Sequence, residues 1–348
     1  MKDIHSLSLP QLQQWMEEQR QPAFRARQLY EYLWKHNLSA FQEMRSLPQA
    51  LRAQLSKEFA MEKAVFSEIQ ESADGSVKYA LRLSDGKEVE MVLIPSRNRS
   101  TLCVSSQVGC PLHCRFCATA HLGYSRNLTP YEMFAQVHAA RLESGQRYGH
   151  PLSNIVWMGM GEPLLNFEAV KAAIDKVTDP EIMGMSPSRI TVSTAGHCDG
   201  IRQMARLLPS VNLAVSLHTA DAAQRQELMP ISGKYPLAAL SDALADYHQR
   251  TGNRVTLEYM LLKNVNDSPG HARLLLDFCR RFPVKINLIA YNVHPYAPFQ
   301  PSDADVFRGF MHTLLEKNLI VNVRKSKGGD IDAACGQLVN AKKKSGKM

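Results

Sequence analysis

From about residue 101 onward the chain alternates short β-rich runs with helix-length segments, and this alternation limits its folds more than any other feature. The strand candidates are Thr101 to Ser106, Asn154 to Gly159, Arg189 to Thr194, Val211 to Leu217, Arg254 to Leu261, Lys285 to Tyr291 and Leu319 to Lys325. Helix-length stretches such as Pro130 to Glu143 and Ala238 to Arg250 lie between them. Parallel strands need long, usually helical crossovers, so repeated β-α units predict an α/β fold with a parallel sheet and helices outside. Six or seven units suit a partial (β/α) barrel, whose site lies at the carboxyl ends of the strands.

The first 62 residues read differently. Ser8 before Pro10 and Gln21 before Pro22 are helix starts. Leu12, Trp15 and Met16, then Ala26, Leu29, Tyr30 and Leu33, are spaced for apolar helix faces. Arg20, Arg25, Arg27 and Lys35 give this small helical unit a basic side that could grip RNA, or it is a packing cap. From about Val65 the period becomes two. Val77 to Leu83 and Glu88 to Ile94 alternate, with Asp74-Gly75 and Asp85-Gly86 as turns, so residues 63–98 read as a β-hairpin extension. The expected division is therefore a helical domain at 1–62, the hairpin linker, a catalytic barrel at 99–340 and a basic tail at 341–348. The tail either touches nucleic acid or is a solvated end.

The first barrel strand leads into three cysteines, Cys110, Cys114 and Cys117, in the run GCPLHCRFCAT. Clusters that only carry electrons are normally closed by four cysteines. Three thiolates on a cubic four-iron cluster leave one iron open to bind and reduce a small molecule. Zinc, with His113 or His121 as fourth ligand, and a buried trio of free thiols are the competing readings. The apolar flank of Phe116, Ala118, Thr119 and Ala120 suits a shielded cluster.

The charge of +8 favours a polyanionic partner. Hydrophobic residues, at 45%, suffice for a large core. No apolar run is long enough for a bilayer and the N-terminus lacks an apolar signal core, which predicts a cytoplasmic protein. Seven unevenly spaced cysteines do not form a secreted disulfide framework.

Polar residues recur at the predicted strand ends: Met158 to Pro163 (MGMGEP), Ser193 to Gly196, Ser216 to His218, and Tyr291-Asn292. Each alone reads as a turn or cap, but four in register with a cysteine loop point to a site. Cys103 lies seven residues before the triplet, and Cys335 lies in GGDIDAACGQL near the end. A thiol on a segment made flexible by Gly328, Gly329 and Gly336 is suited to covalent chemistry, which a second thiol could resolve. Cys198 and Cys279 read as core residues.

Together, VSSQVGC-x3-C-x2-CAT, MGMGEPLLN, VSTAG, AVSLH, LMPI and GDIDAACGQL make the chain resemble the RlmN/Cfr family of radical S-adenosylmethionine RNA methyltransferases over nearly its whole length. The resemblance implies a partial (β/α)6 radical-SAM barrel. It implies that Cys110, Cys114 and Cys117 hold a [4Fe–4S] cluster. Gly161, Glu162, Ser193, Ser216, Leu217, His218 and Asn292 match positions that bind S-adenosylmethionine. Two molecules are used per turnover. One methylates Cys335; the other yields a 5′-deoxyadenosyl radical that takes hydrogen from the S-methyl group. The methylene radical then adds to an electrophilic adenine carbon. Cys103 matches the residue that resolves the RNA–protein crosslink, leaving a Cys103–Cys335 disulfide, and Glu90 matches a proton acceptor. The Pro of MGMGEP is more RlmN-like than Cfr-like, which favours carbon 2 over carbon 8. The implied partners are 23S ribosomal RNA, with transfer RNA also possible, and an electron donor such as flavodoxin acting on a monomer. The alternatives are another RNA target, another radical reaction, or a zinc-stabilised RNA-binding module without catalysis. The chain departs from the family after Asn292, where the usual proline is displaced to Pro295, and its N-terminal region is short.

Overall fold

A computed structural model describes residues 1–339 of the chain. The basic tail expected at 341–348 lies outside the described residues.

The N-terminal unit has three helices, α1 (Leu9–Glu18), α2 (Phe24–Trp34) and α3 (Gln49–Glu58). Ser8 caps α1 through a reciprocal box with Gln11, and Pro10 sits in the first turn. Two-residue strands at Lys2–Asp3 and Phe59–Ala60 pair in parallel and tie the ends of the unit together. Trp34 is buried, and its ring meets Phe134 edge-on at 5.2 Å and Tyr131 at 6.2 Å. His5 stacks on Tyr131 at 3.7 Å. The helical unit is thus packed onto the barrel through aromatic side chains.

Next come β1 (Val65–Glu71), β2 (Val77–Arg82) and β3 (Glu88–Ser96), an antiparallel meander whose turns use Gly75 and Gly86 at positive φ. It continues through β4 (Arg99–Cys103) into the barrel. A short antiparallel pair follows, β5 (Gln107–Gly109) and β6 (Tyr124–Asn127). Alternating elements then run α4 (Pro130–Tyr148), β7 (Leu152–Trp157), α5 (Phe167–Thr178), β8 (Ile190–Thr194), α6 (Cys198–Leu207) and β9 (Asn212–Ser216). They continue with α7 (Ala222–Leu228), α8 (Leu237–Thr251), β10 (Val255–Leu261), α9 (Pro269–Phe278), β11 (Val284–Ala290), α10 (Ala304–Leu315) and β12 (Ile320–Arg324).

One ten-stranded sheet has the order β12-β11-β10-β9-β8-β7-β4-β3-β2-β1. From β4 to β12 every neighbouring pair is parallel. This is the predicted partial (β/α)6 barrel, with β12 as a seventh parallel strand and the meander extending the same sheet. All seven predicted strands are present. The core strand β10 is buried at every position, as expected where helices cover one face and the barrel interior the other. Cys198 and Cys279 are buried, as expected. Among the described residues no helix is long and apolar enough to cross a membrane.

Candidate active site

The carboxyl ends of the parallel strands surround a cavity of ≈ 350 Å³. Its wall includes Cys103 at the end of β4, Met158 and Gly159 beyond β7, Ser193 and Thr194 of β8, Ser216 of β9, and Arg324 of β12. All three cysteines of the triplet line it, as do Gly161, Glu162, His218 and Cys335.

The triplet loop is pinned at both ends by the β5–β6 pair. Gly109 has φ +77, and a Cβ there would lie 1.8 Å from the Gly123 carbonyl oxygen, so only glycine fits. The Cys110 amide donates to that carbonyl at 3.0 Å, and the Arg115 amide donates to Leu228 at the end of α7. Burial pushes the Cys110 thiol up to about 12 and raises those of Cys114 and Cys117. The thiols also oppose one another's ionisation, Cys117 acting on both Cys110 and Cys114. Three such thiols become thiolates together only around a cationic group, and their donor chemistry suits iron–sulfur. Among the described residues, no three His, Cys, Asp or Glu converge on a single metal ion. Thiolates that each bind a different iron of a cluster need no common point.

Gly161, at φ +96, lets the backbone run against Gln107, where a Cβ would meet that side chain at 2.5 Å. The Gln107 carboxamide oxygen accepts from the Glu162 amide at 2.8 Å. Glu162 is buried, and its carboxylate accepts from the Ala195 and Leu164 amides at 2.8 and 3.1 Å. Burial raises its pKa to about 7, and these hydrogen bonds pull the other way. A cation beside it, such as an ammonium group, would favour its ionised form. His218 is buried with φ +55, and burial and Arg225 lower its pKa to about 3. Its Nδ1 accepts from the Met260 amide at 3.1 Å, so the neutral ring carries its proton on Nε2.

Cys335 reaches the cavity on a segment tethered on both sides. Asp330 accepts from Ser72 Oγ and the Ala73 amide, and Asp74 accepts from the Gly328 amide at 2.9 Å. On the other side Ala118 N–H donates to Gly336 O at 2.7 Å, and Thr119 Oγ1 donates to Leu338 O at 2.7 Å. The segment expected to be flexible is therefore held between the β1–β2 turn and the triplet loop. Its glycines serve tight backbone geometry, with Gly328 and Gly336 at positive φ.

Cys103 and Cys335 are both free thiols lining the cavity, so the disulfide anticipated between them is not formed in this structure. Burial, and then Cys335, push Cys103 up to about 12, while Arg324 opposes this. Three expected residues do not line the cavity. Asn292 instead donates from Nδ2 to the Cys335 carbonyl at 3.2 Å. Leu217 is fully buried beside Ser216, and its carbonyl accepts from Arg225. Glu90 lies behind the wall, 3.3 Å from Lys78 Nζ, and accepts from the Val339 amide at 3.0 Å.

Three charged residues were not singled out from the sequence. Glu258 and Arg324 line the cavity, 3.4 Å apart, and Asn287 donates to Glu258 at 2.8 Å. A lone carboxylate within the apolar run RVTLEYML was the available signal for Glu258. Arg324 at the predicted end of the last strand was equally visible. Arg225, in an ordinary-looking helix, gave none.

Residues 104–275 match the radical SAM superfamily, and residues 2–61 match the ribosomal RNA large subunit methyltransferase N-terminal domain. A probable dual-specificity RNA methyltransferase RlmN of Flavobacterium johnsoniae is 44% identical over 339 residues, 97% of each chain. The chain belongs to the RlmN family. The dual-specificity RNA methyltransferase RlmN of an Anaeromyxobacter species is 43% identical across 97% of this chain and 90% of its own. The crystal structure of a radical SAM methyltransferase from Sphaerobacter thermophilus superposes with a TM-score of 0.91 at 38% identity, covering 97% of this chain and 99% of that one. This RlmN-family chain is therefore a radical S-adenosylmethionine enzyme whose cofactors are a [4Fe–4S] cluster and S-adenosylmethionine.

Proposed function

We propose that the protein methylates a ring carbon of adenine in RNA, carbon 2 being favoured, with Cys335 as the methyl carrier. The observation that carries this reading is the meeting of five cysteines on one cavity: the triplet, Cys103 and Cys335. A radical enzyme that only cleaved S-adenosylmethionine would have no use for two further thiols there.

Cys110, Cys114 and Cys117 would hold the cluster, which when bound supplies one electron to S-adenosylmethionine. Glu162 and the backbone at Gly161 are suited to the cofactor's ammonium and carboxylate end, and Ser193, Ser216 and the Nε2 proton of His218 offer further polar contacts. Leu217 contributes backbone only. Cys335 accepts a methyl group on sulfur and presents it to the base, and Asn292 fixes the peptide that carries it. The Cys103 thiolate attacks the Cys335 sulfur, and the bond from that sulfur to the transferred carbon breaks as the S–S bond forms. The carbon takes up a proton to become the product's methyl group, and an external thiol reductant then reduces the disulfide. Glu90 holds the outgoing Val339 peptide, and its route to proton acceptance is a movement of that segment. Adenine must be unpaired or extruded to reach a cavity of this depth. The basic helical unit supports an RNA substrate, and ribosomal RNA is favoured with transfer RNA as the second target. Electrons come from a low-potential donor of the flavodoxin class.

Mass spectrometry of digested ribosomal and transfer RNA, from cells with and without the protein, tests this. We expect a 2-methyladenosine signal to disappear with the protein. An 8-methyladenosine signal lost instead would move the assignment to carbon 8, and no change in any methyladenosine would refute the function.

A further inference from the structure

Arg225 is fully buried on α7, and among the described residues its hydrogen-bond partners are all neutral. Nε donates to Leu217 O at 3.2 Å, and one terminal nitrogen donates to Ala195 O at 2.7 Å and Ser216 O at 3.2 Å. The other terminal nitrogen donates to the Ser232 hydroxyl. Three carbonyls and a hydroxyl satisfy the guanidinium geometrically without neutralising it. A buried cation in this position is costly unless an anion shares its low-dielectric surroundings.

The triplet loop lies against this helix. The Arg115 amide donates to Leu228 O, one turn beyond Arg225, and the Phe116 ring meets His218 edge-on at 4.7 Å. Ala195 and Ser216, whose carbonyls accept from Arg225, line the same cavity as Cys110, Cys114 and Cys117. Neutral His218 adds no charge. A four-iron core with two positive charges, held by three thiolates, is a net anion, and one-electron reduction adds a further negative charge.

We propose that Arg225 is the built-in counter-cation of the cluster, raising its reduction potential by stabilising the reduced form. It is a positioning residue that acts on the cluster through charge, and its hydrogen bonds to Ala195, Ser216 and Leu217 fix that charge at the ends of β8 and β9. The Ala195 peptide also links it to Glu162, since its carbonyl accepts from Arg225 while its amide donates to that carboxylate. The electron comes from an external low-potential one-electron donor, and no other bond changes. The proposal rests on the assignment of Cys110, Cys114 and Cys117 as cluster ligands.

The test is a redox titration of the full-length, anaerobically reconstituted protein, poised with mediators and read by electron paramagnetic resonance of the reduced cluster. At fixed potential, Arg225→Met should lower the ratio of reduced to oxidised cluster about tenfold or more. A tenfold change corresponds to about 59 mV for a one-electron couple. Arg225→Lys keeps the charge but loses the planar fork, and should stay within about threefold of the wild-type ratio. An unchanged ratio in a fully loaded Arg225→Met protein overturns the proposal, as does an equal fall in both variants. Should Arg225→Met not load, Arg225→Gln, which keeps amide donors for some of these carbonyls but carries no charge, is read in the same titration. It should shift the ratio as far as Arg225→Met is expected to, and a wild-type ratio in the loaded Arg225→Gln protein overturns the proposal. Wild-type protein that takes up no iron and sulfide would defeat the ligand assignment itself, a separate failure read before any potential is measured.

Discussion

At the scale of single residues, the two cysteines outside the triplet have the clearest consequences. If Cys103 resolves the crosslink, Cys103→Ala should leave RNA covalently bound to the protein through Cys335. Denaturing gels of protein purified with RNA would show a nuclease-sensitive, slower band absent from the double variant lacking Cys335. Free RNA product at the wild-type rate would count against that role. Glu62 offers a test of a different kind. Burial raises its pKa from 4.5 to about 7, Thr129 pulls it down, and Asp3 and Glu132 add to the rise. A carboxyl raised on folding stabilises the fold below its unfolded pKa, and that contribution fades as pH climbs through the folded value. Glu62→Gln keeps an acceptor for the Thr129 hydroxyl, which donates at 2.8 Å in the wild type. The variant should match wild type in thermal unfolding at pH 5 and exceed it at pH 8; equal behaviour at both would show that Glu62 is not desolvated. Residue types carrying unmistakable chemistry, the cysteines and Glu162, were legible in the sequence. Arg225, Arg324 and Glu258 were not singled out, because an isolated charge in a sequence does not reveal whether folding buries it.

At the scale of elements, the short β5–β6 pair gives the triplet loop its shape. Gly109→Ala places a methyl group onto the Gly123 carbonyl in a backbone region that L-residues avoid. It should cost about 1–3 kcal/mol of stability. Iron and sulfide bound per chain after reconstitution should fall severalfold, while undiminished loading would show that the loop closes without this pair. The barrel strands were readable because their β-rich runs are separated by helix-length segments, and helix ends such as Thr129-Pro130 carry their caps in the sequence. The β5–β6 pair was not read, because three- and four-residue strands are too short to show a period. The tethering of the Cys335 segment was also hidden. It depends on Asp330 meeting Ser72 and Ala73, more than 250 positions away, a pairing that no local pattern encodes.

At the scale of the whole molecule, the meander is more than a linker. It extends the barrel sheet, and its first turn holds the segment that brings Cys335 to the cavity, while Glu90 of β3 receives the Val339 peptide. The helical unit packs against α4 on aromatic rings, so it and the barrel share one scaffold. The account stands or falls on the path of the methyl group through Cys335. Protein made in cells fed methyl-labelled methionine should, on digestion, yield a Cys335 peptide heavier by one labelled methyl group on sulfur. The label should leave that peptide and appear in RNA adenine on a single turnover with unlabelled S-adenosylmethionine. RNA methylated by a protein whose Cys335 never carries the label would contradict it.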